Sequence, residues 1–308
     1  SVTFDYYVRT TSDLIFDLPV SAVPGYYNND RDSKKAVNVG SLRNRGYEIT
    51  IQSNNLQTKD LTWTTMLNFG HNHNELTKIY GEENQIISGV RIHKVGEPYY
   101  SYYGYEYAGV DPNTGRESYY LNDGTSNARN TTVNPNEAKK VIIGNHETKI
   151  EGGFSNNITW KFIDFGLNFT FSLGGKAFDA ATWQHNNGNY TFGGQLPTYY
   201  DINKMWTGPG DTNASQPVFQ YGNSSEVSSR WLMPTDYLRL KSLTLGFTAP
   251  SQWVTRIGLS KARAFFSASN LLTWKSKDLY VDPEMRVDGV CTFQTPALRT
   301  FTFGIELG

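Results

Sequence analysis

The sequence is poor in the features that usually announce a function. No window approaches the roughly 20 consecutive apolar residues that a membrane helix needs, and mean hydropathy is −0.51. A single cysteine, Cys291, excludes an internal disulfide framework and any cysteine-based metal site. Acidic and basic residues nearly cancel, leaving a net charge of −1 and no electrostatic case for a nucleic-acid partner. No nucleophile elbow, phosphate-cradling glycine loop or serine/histidine pairing occurs, so no catalytic residues are expected. No cofactor is expected either. The N-terminus carries no basic segment followed by an apolar run and opens directly in a strand-like stretch. A mature product, or a piece of something longer, is therefore expected.

Aromatic residues are plentiful at 14%, glycine numbers 28, and charged residues make up only 19% of the 308 residues. A polar mean hydropathy does not exclude a transmembrane barrel, whose strands alternate lipid-facing with lumen-facing side chains. The clearest strand is 165–173. Phe165, Leu167, Phe169, Phe171 and Leu173 alternate there with Gly166, Asn168, Thr170 and Ser172. Period-two alternation of this kind gives one apolar and one wet face.

The same pattern recurs over residues 2–8, 47–52, 61–69, 103–108, 154–160, 243–247 and 299–307, while 116–122 returns as a strand and 262–271 forms a weaker one whose outward face the sequence does not assign. Phe301 and Phe303 carry the apolar phase of the last strand. Leu238 and Leu240 stand out of phase with Leu243, Leu245 and Phe247, which predicts a β-bulge. D-P-N-T-G at 111–115 predicts a tight turn, and Tyr199 to Trp206 predicts a short helix. These strands number about ten, and their links alternate between long and short without exception. Long links fall at about 11–44, 74–98, 123–149, 174–234 and 273–297. That arrangement predicts an all-β, antiparallel up-and-down transmembrane barrel wall, with short periplasmic turns and long extracellular loops.

Several stretches in order resemble the SusC/RagA family of TonB-dependent outer-membrane transporters. They are N-V-G-S-L-R-N-R-G-Y-E at 38–48, G-E-P-Y-Y-S-Y-Y-G-Y-E-Y-A-G-V-D-P-N-T-G at 96–115 and G-G-F-S-N-N-I-T-W-K at 152–161. F-S-L-G-G-K at 171–176, S-S-R-W-L at 228–232 and D-Y-L-R-L-K-S-L-T-L-G-F at 236–247 follow. S-N-L-L-T-W at 269–274, D-P-E at 282–284 and R-T-F-T-F-G at 299–304 complete the series. The resemblance covers the C-terminal third of such a protein. It implies that residues 1–308 are the last ten or so strands of a plug-filled barrel of about 22 strands, with plug and earlier strands absent from this chain. It further implies bacterial outer-membrane localisation, a SusD-like surface lipoprotein partner, and coupling to TonB through the missing N-terminal part. Uptake of oligosaccharides, or of peptides, would follow. A self-standing barrel acting as passive pore or adhesin, and a soluble secreted carbohydrate-binding protein, are the alternatives.

The longest loop, 174–234, supplies the candidate ligand-binding aromatics Trp183, Tyr190, Tyr199, Tyr200, Trp206 and Trp231, with Tyr221 beside them. Flat rings stack on sugars or pack on a partner equally well. Trp63, Trp160, Trp253 and Trp274 lie near strand ends, where interfacial belts form in contact with outer-membrane lipid. His71 and His73 share one side of a strand, a spacing able to hold a metal, but no third ligand follows and no metal is expected. Asp278, Asp282 and Glu284 crowd one loop without the fixed separation that glycosidic catalysis requires, which favours a solvated loop or weak ion site.

Overall fold

Alternation that leaves one face apolar can be satisfied only by a sheet in which every strand presents that face to the same side. The computed structural model has this sheet. It describes residues 1–19, 34–79, 84–186, 201–218, 225–284, 288–292 and 295–308. In chain order the strands begin with β1 (Val2–Pro19), β2 (Lys34–Gln57) and β3 (Leu61–Lys78). Short strands follow: β4 (Gln85–Ser88), β5 (Arg91–Lys94), β6 (Ser101–Gly104), β7 (Tyr107–Val110), β8 (Glu117–Tyr120), β9 (Thr131–Thr132) and β10 (Val141–Asn145). Next come β11 (Ile150–Trp160), β12 (Ile163–Leu173), β13 (Lys176–Asp179), helix α1 (Ala180–Asn186) and β14 (Leu232–Pro234). The chain ends with β15 (Tyr237–Thr248), helix α2 (Ser251–Val254), β16 (Ala262–Lys275), β17 (Val290–Cys291) and β18 (Thr300–Leu307).

Eight of these strands form one antiparallel meander in the order β1-β2-β3-β11-β12-β15-β16-β18. Its register aligns the apolar positions in rows. Phe169 faces Phe154 and Leu240, Leu245 faces Phe165 and Phe266, and Phe266 faces Phe303. Phe165, Leu167, Phe169, Phe171, Leu173, Phe301 and Phe303 therefore share one face across the sheet. That face is open: Phe303 is 79% exposed, Phe4 62% and Leu245 45%. The opposite face carries Thr50, Asn68, Gly153, Thr170 and Arg239, which lie in one row.

The expected phase slip is a bulge at Lys241. Asn168 pairs with Ser242 while Phe169 pairs with Leu240, so one extra residue on β15 restores Leu238 and Leu240 to the apolar face. On the other side, β16 accommodates the bulge at Asn270, whose φ is +54. Asparagine is among the residues that tolerate this left-handed conformation best.

The strand count differs from the sequence expectation. The sheet has eight strands, not ten, because 103–108 and 116–122 do not join it. They contribute β6, β7 and β8 to two smaller sheets, β10-β6-β5-β4 and β7-β8-β9. The miscounted pair is a hairpin inside a single long link, joined by the D-P-N-T-G turn. Adding one short turn between two long segments left the long–short alternation and the even parity unchanged. The turn forms as expected: Asp111 Oδ1 accepts hydrogen bonds from the Asn113 and Thr114 N–H groups at 3.1 and 2.7 Å, and Gly115 takes φ +70.

The first loop was also expected to be far longer. β1 continues to Pro19, and β2, at 24 residues, spans about 80 Å at ~3.3 Å per residue. The run T-S-D-L-I-F-D-L at 11–18 breaks strict alternation, so it carries no period-two strand signal. The hairpin of β4 and β5 was not anticipated either, because Q-I-I-S and R-I-H-K are too short to show a period. Of the expected helix 199–206, the described residues 201–206 contain the 3₁₀ turn Ile202–Lys204, while α1 was not foreseen.

The buried cores lie in the long links and at the end of β3. One packs Leu76, Ile79 and Ile86; another Tyr102, Phe178, Ala180 and Trp231; a third Ala177, Met233, Leu279 and Cys291. No helix among the described residues is long and apolar enough to cross a membrane.

Candidate functional site

The links that follow β12 and β16 and the hairpin of β7 and β8 converge above one end of the sheet. The centre of that lobe is an ion pair. Arg230 Nη1 donates to Glu117 Oε1, with side-chain exposures of only 10% and 6%. Tyr119 OH donates to Glu117 Oε2 at 2.7 Å, and Ser225 Oγ reaches both carboxylate oxygens at 2.8 and 2.9 Å. Arg230 Nη2 donates to Gln216 Oε1 at 2.6 Å. Its guanidinium also lies 4.5 Å from the Trp231 ring centroid and 5.7 Å from that of Tyr107. A buried charge pair is tolerable only when its remaining donors and acceptors are met in this way. Burial first, and the Glu117 carboxylate second, push the Tyr119 hydroxyl well above its ordinary range, so it remains a donor.

Beside this pair opens a cleft of about 410 Å³, lined among others by Tyr107, Lys204, Arg230, Trp231, Asp278 and Tyr280. Carboxylates, cations and ring edges around one cavity suit a polar ligand with several hydrogen-bonding groups.

Of the expected aromatics, three have described side chains. Trp183 donates its indole N–H to Ser225 O at 3.0 Å and meets Phe178 edge-on at 5.9 Å. Trp206 donates to Pro112 O at 2.9 Å and covers Gly115. Trp231 is 5% exposed, donates to Ser225 Oγ at 3.0 Å, and alone of the three lines the cleft. Tyr190, Tyr199, Tyr200 and Tyr221 lie outside the described residues. The sequence reading missed Arg230, Glu117, Lys204 and Tyr280. Arg230 sits inside the S-S-R-W-L run, but nothing in its spacing disclosed a partner 113 residues away.

The acidic loop is not freely solvated. Arg239, on β15, is 2% exposed and grips it, with Nη2 on Asp282 Oδ1 at 2.7 Å and Nη1 on Glu284 Oε2 at 2.6 Å. Lys241 adds a bond to Glu284 Oε2 at 2.6 Å, and Lys275 Nζ holds Val281 O at 2.8 Å. Burial alone would raise the Asp282 carboxyl, but hydrogen bonds from the Ala297 N–H and Arg239 hold it below the ordinary aspartate range. Residues 276–284 thus form a strap across the polar face. Asp278 stands apart and lines the cleft.

His71 and His73 lie on β3 in the row of Tyr47 and Arg45. His73 Nδ1 is 3.1 Å from Glu147 Oε2, while His71 Nδ1 is buried without a partner. No group of three metal-ligating residues occurs among the described residues. Burial pushes the Cys291 thiol up to about 12, which keeps it neutral and unreactive.

No family model matches the chain. TonB-dependent receptor P3 of Formosa agariphila is 29% identical over 345 residues, covering 99% of this chain and 32% of that protein. TonB-dependent receptor SusC of Bacteroides thetaiotaomicron is 24% identical over 322 residues, covering 98% of this chain and 29% of its own length. The chain therefore spans about a third of the length of the curated relatives it matches. Among solved structures, the RagAB peptide transporter superposes with a TM-score of 0.82 at 26% identity, over 99% of this chain and 33% of that one. The RagAB peptide importer in its closed-closed state gives 0.83 at 27%. In sequence and in fold, over nearly its whole length, the chain is similar to about a third of a SusC/RagA-type TonB-dependent receptor.

Proposed function

We propose that this chain forms part of the membrane-spanning wall and extracellular lobe of a TonB-dependent outer-membrane importer. The observation that carries the reading is the inversion of the usual packing. The sheet presents its apolar rows outward, with Phe303 79% exposed, while the buried cores sit in the long links and at the end of β3. Exposed apolar surface on that scale needs hydrocarbon against it. The apolar rows then face lipid, the Thr/Asn/Gly/Arg rows face the lumen, and Trp63, Trp160, Trp253 and Trp274 anchor the interfaces. β11 and β12, at 11 residues each, span about 25 Å of height at a tilt of ~45°.

Oligosaccharide or peptide would be captured at the lobe, under a SusD-like surface lipoprotein, and released inward when TonB acts on the part of the protein beyond this chain. The cleft beside Arg230 is the proposed point of contact, and the aromatics of 174–234 frame it. No catalytic step is involved. The test uses the full-length protein in its native membranes. Sedimentation with the outer membrane and release only by detergent are expected; a protein soluble without detergent refutes the reading. Tyr280→Ala and Lys204→Ala, both at exposed cleft positions, should weaken substrate uptake at least about tenfold while leaving membrane assembly intact. Unchanged uptake would remove the cleft from the mechanism.

A further inference from the structure

Rows of side chains on the apolar face change chemistry in a regular order along β1, β2 and β3. Phe4, Ile49 and Phe69 form one row, Tyr6, Tyr47 and His71 the next, and Val8, Arg45 and His73 the one beyond. Apolar, then amphipathic aromatic, then basic is the order in which a bilayer changes from hydrocarbon to headgroup. His73 lies ten residues along β3 from Trp63. At ~3.3 Å per residue and a tilt of ~45° that is about 23 Å of height, which brings the basic row to the outer interface.

Between these rows lies an open groove of about 330 Å³, lined by Tyr6, Arg45, Gly46, Tyr47, His71 and His73. The charges around it are unevenly committed. Arg43 Nη2 is held by Glu75 Oε2 at 2.7 Å, and His73 Nδ1 by Glu147 Oε2 at 3.1 Å. Arg45 is exposed and makes no ion pair among the described residues, and His71 Nδ1 is buried with no hydrogen-bond partner. An exposed guanidinium without an ion pair, lining one groove with His71 and two tyrosines, supplies the donor fork that phosphate oxygens accept.

We propose that this groove binds the phosphate of an outer-leaflet lipid headgroup, with Arg45 as its main ligand and His71 and the two tyrosine hydroxyls as further donors. A lipid is favoured over free phosphate because the groove opens directly above the Phe4–Ile49–Phe69 row, along which acyl chains can lie. The inference rests on the membrane reading above, and the test separates the two.

The full-length transporter, purified in mild detergent, is mixed with phosphatidylglycerol, diacylglycerol or inorganic phosphate, and retained adducts are counted by native mass spectrometry. Wild type should retain one phosphatidylglycerol about tenfold more than Arg45→Gln, the ratio expected for one charge-assisted contact. Arg43→Gln, which breaks a pair outside the groove, should retain it like wild type. Equal retention by wild type and Arg45→Gln overturns the proposal. So does equal retention of diacylglycerol, which would mean apolar contact only, or displacement of the lipid by inorganic phosphate, which would mean a free-anion site. A protein that needs no detergent instead overturns the membrane reading itself.

Discussion

At the scale of single residues, the lobe depends on groups that sequence spacing does not connect. Glu117 and Arg230 are buried together, so removing either leaves a charge without its counterpart. Arg230→Ala or Glu117→Ala should destabilise the lobe by roughly 3–5 kcal/mol. The double variant Glu117→Gln/Arg230→Met should cost less than either single change. Hydrogen exchange across 225–234 in the full-length protein measures both. Gly289 is a second such point. It takes φ +66, and a side chain there would run into the Tyr102 hydroxyl, which bonds to Gly289 O at 2.8 Å. Gly289→Ala should therefore cost more than the ~1 kcal/mol of left-handed strain alone, read as a lower melting temperature of the full-length protein. The tryptophans teach the converse lesson. Residue type identified Trp183, Trp206 and Trp231 as flat, sticky side chains. It could not disclose that each indole N–H has an acceptor inside the lobe, because those acceptors come from elsewhere in the chain.

At the scale of elements, the bulge and the strap invite the sharpest tests. Lys241 is the extra residue that keeps Leu238 and Leu240 on the apolar face. Deleting it should turn those two leucines to the polar side and sharply reduce the amount of assembled protein recovered in the outer membrane. Lys241→Ala, which keeps the count, should assemble normally. The strap 276–284 is held by carboxylates on Arg239, and Asp282 has its folded-state pKa depressed. Its contribution is present above the unfolded value of about 3.9 and is lost as pH falls through the lower folded value. The strap should therefore stay protected from exchange at neutral pH, begin to loosen below about pH 4 and open as pH falls through the depressed Asp282 value. In Asp282→Asn/Glu284→Gln it should already be open at neutral pH. The bulge was legible because it broke a strong alternation. The strap was not, since D-P-E reads as a solvated turn until Arg239 is seen across from it.

For the whole molecule, the faces of the sheet make a paired prediction. Phe303→Arg should reduce stability in the membrane by about 2–4 kcal/mol, as lipid-facing charges near the midplane do. Thr302→Lys, one residue away on the opposite face, should be nearly neutral. Unfolding titrations of the full-length protein in lipid compare the two. Equal costs would mean that the faces have been assigned the wrong way round. The sequence by itself determined the class of this wall. Period-two alternation is dictated by strand geometry, and long–short alternation by an up-and-down meander, so both survive without coordinates. Which alternating segments belong to the wall was decided only by tertiary pairing. The run at 103–108 alternates as well as true wall strands, yet it and 116–122 pair with link segments above the wall. Alternation records only that a strand has two unlike faces. It cannot say whether the apolar one meets lipid, as proposed for 165–173, or a small core such as that of Tyr102, Phe178 and Trp231. That choice is made by the neighbours a strand acquires on folding. The pairing of Arg230 with Glu117 and the clamp of Arg239 on the strap were settled there for the same reason.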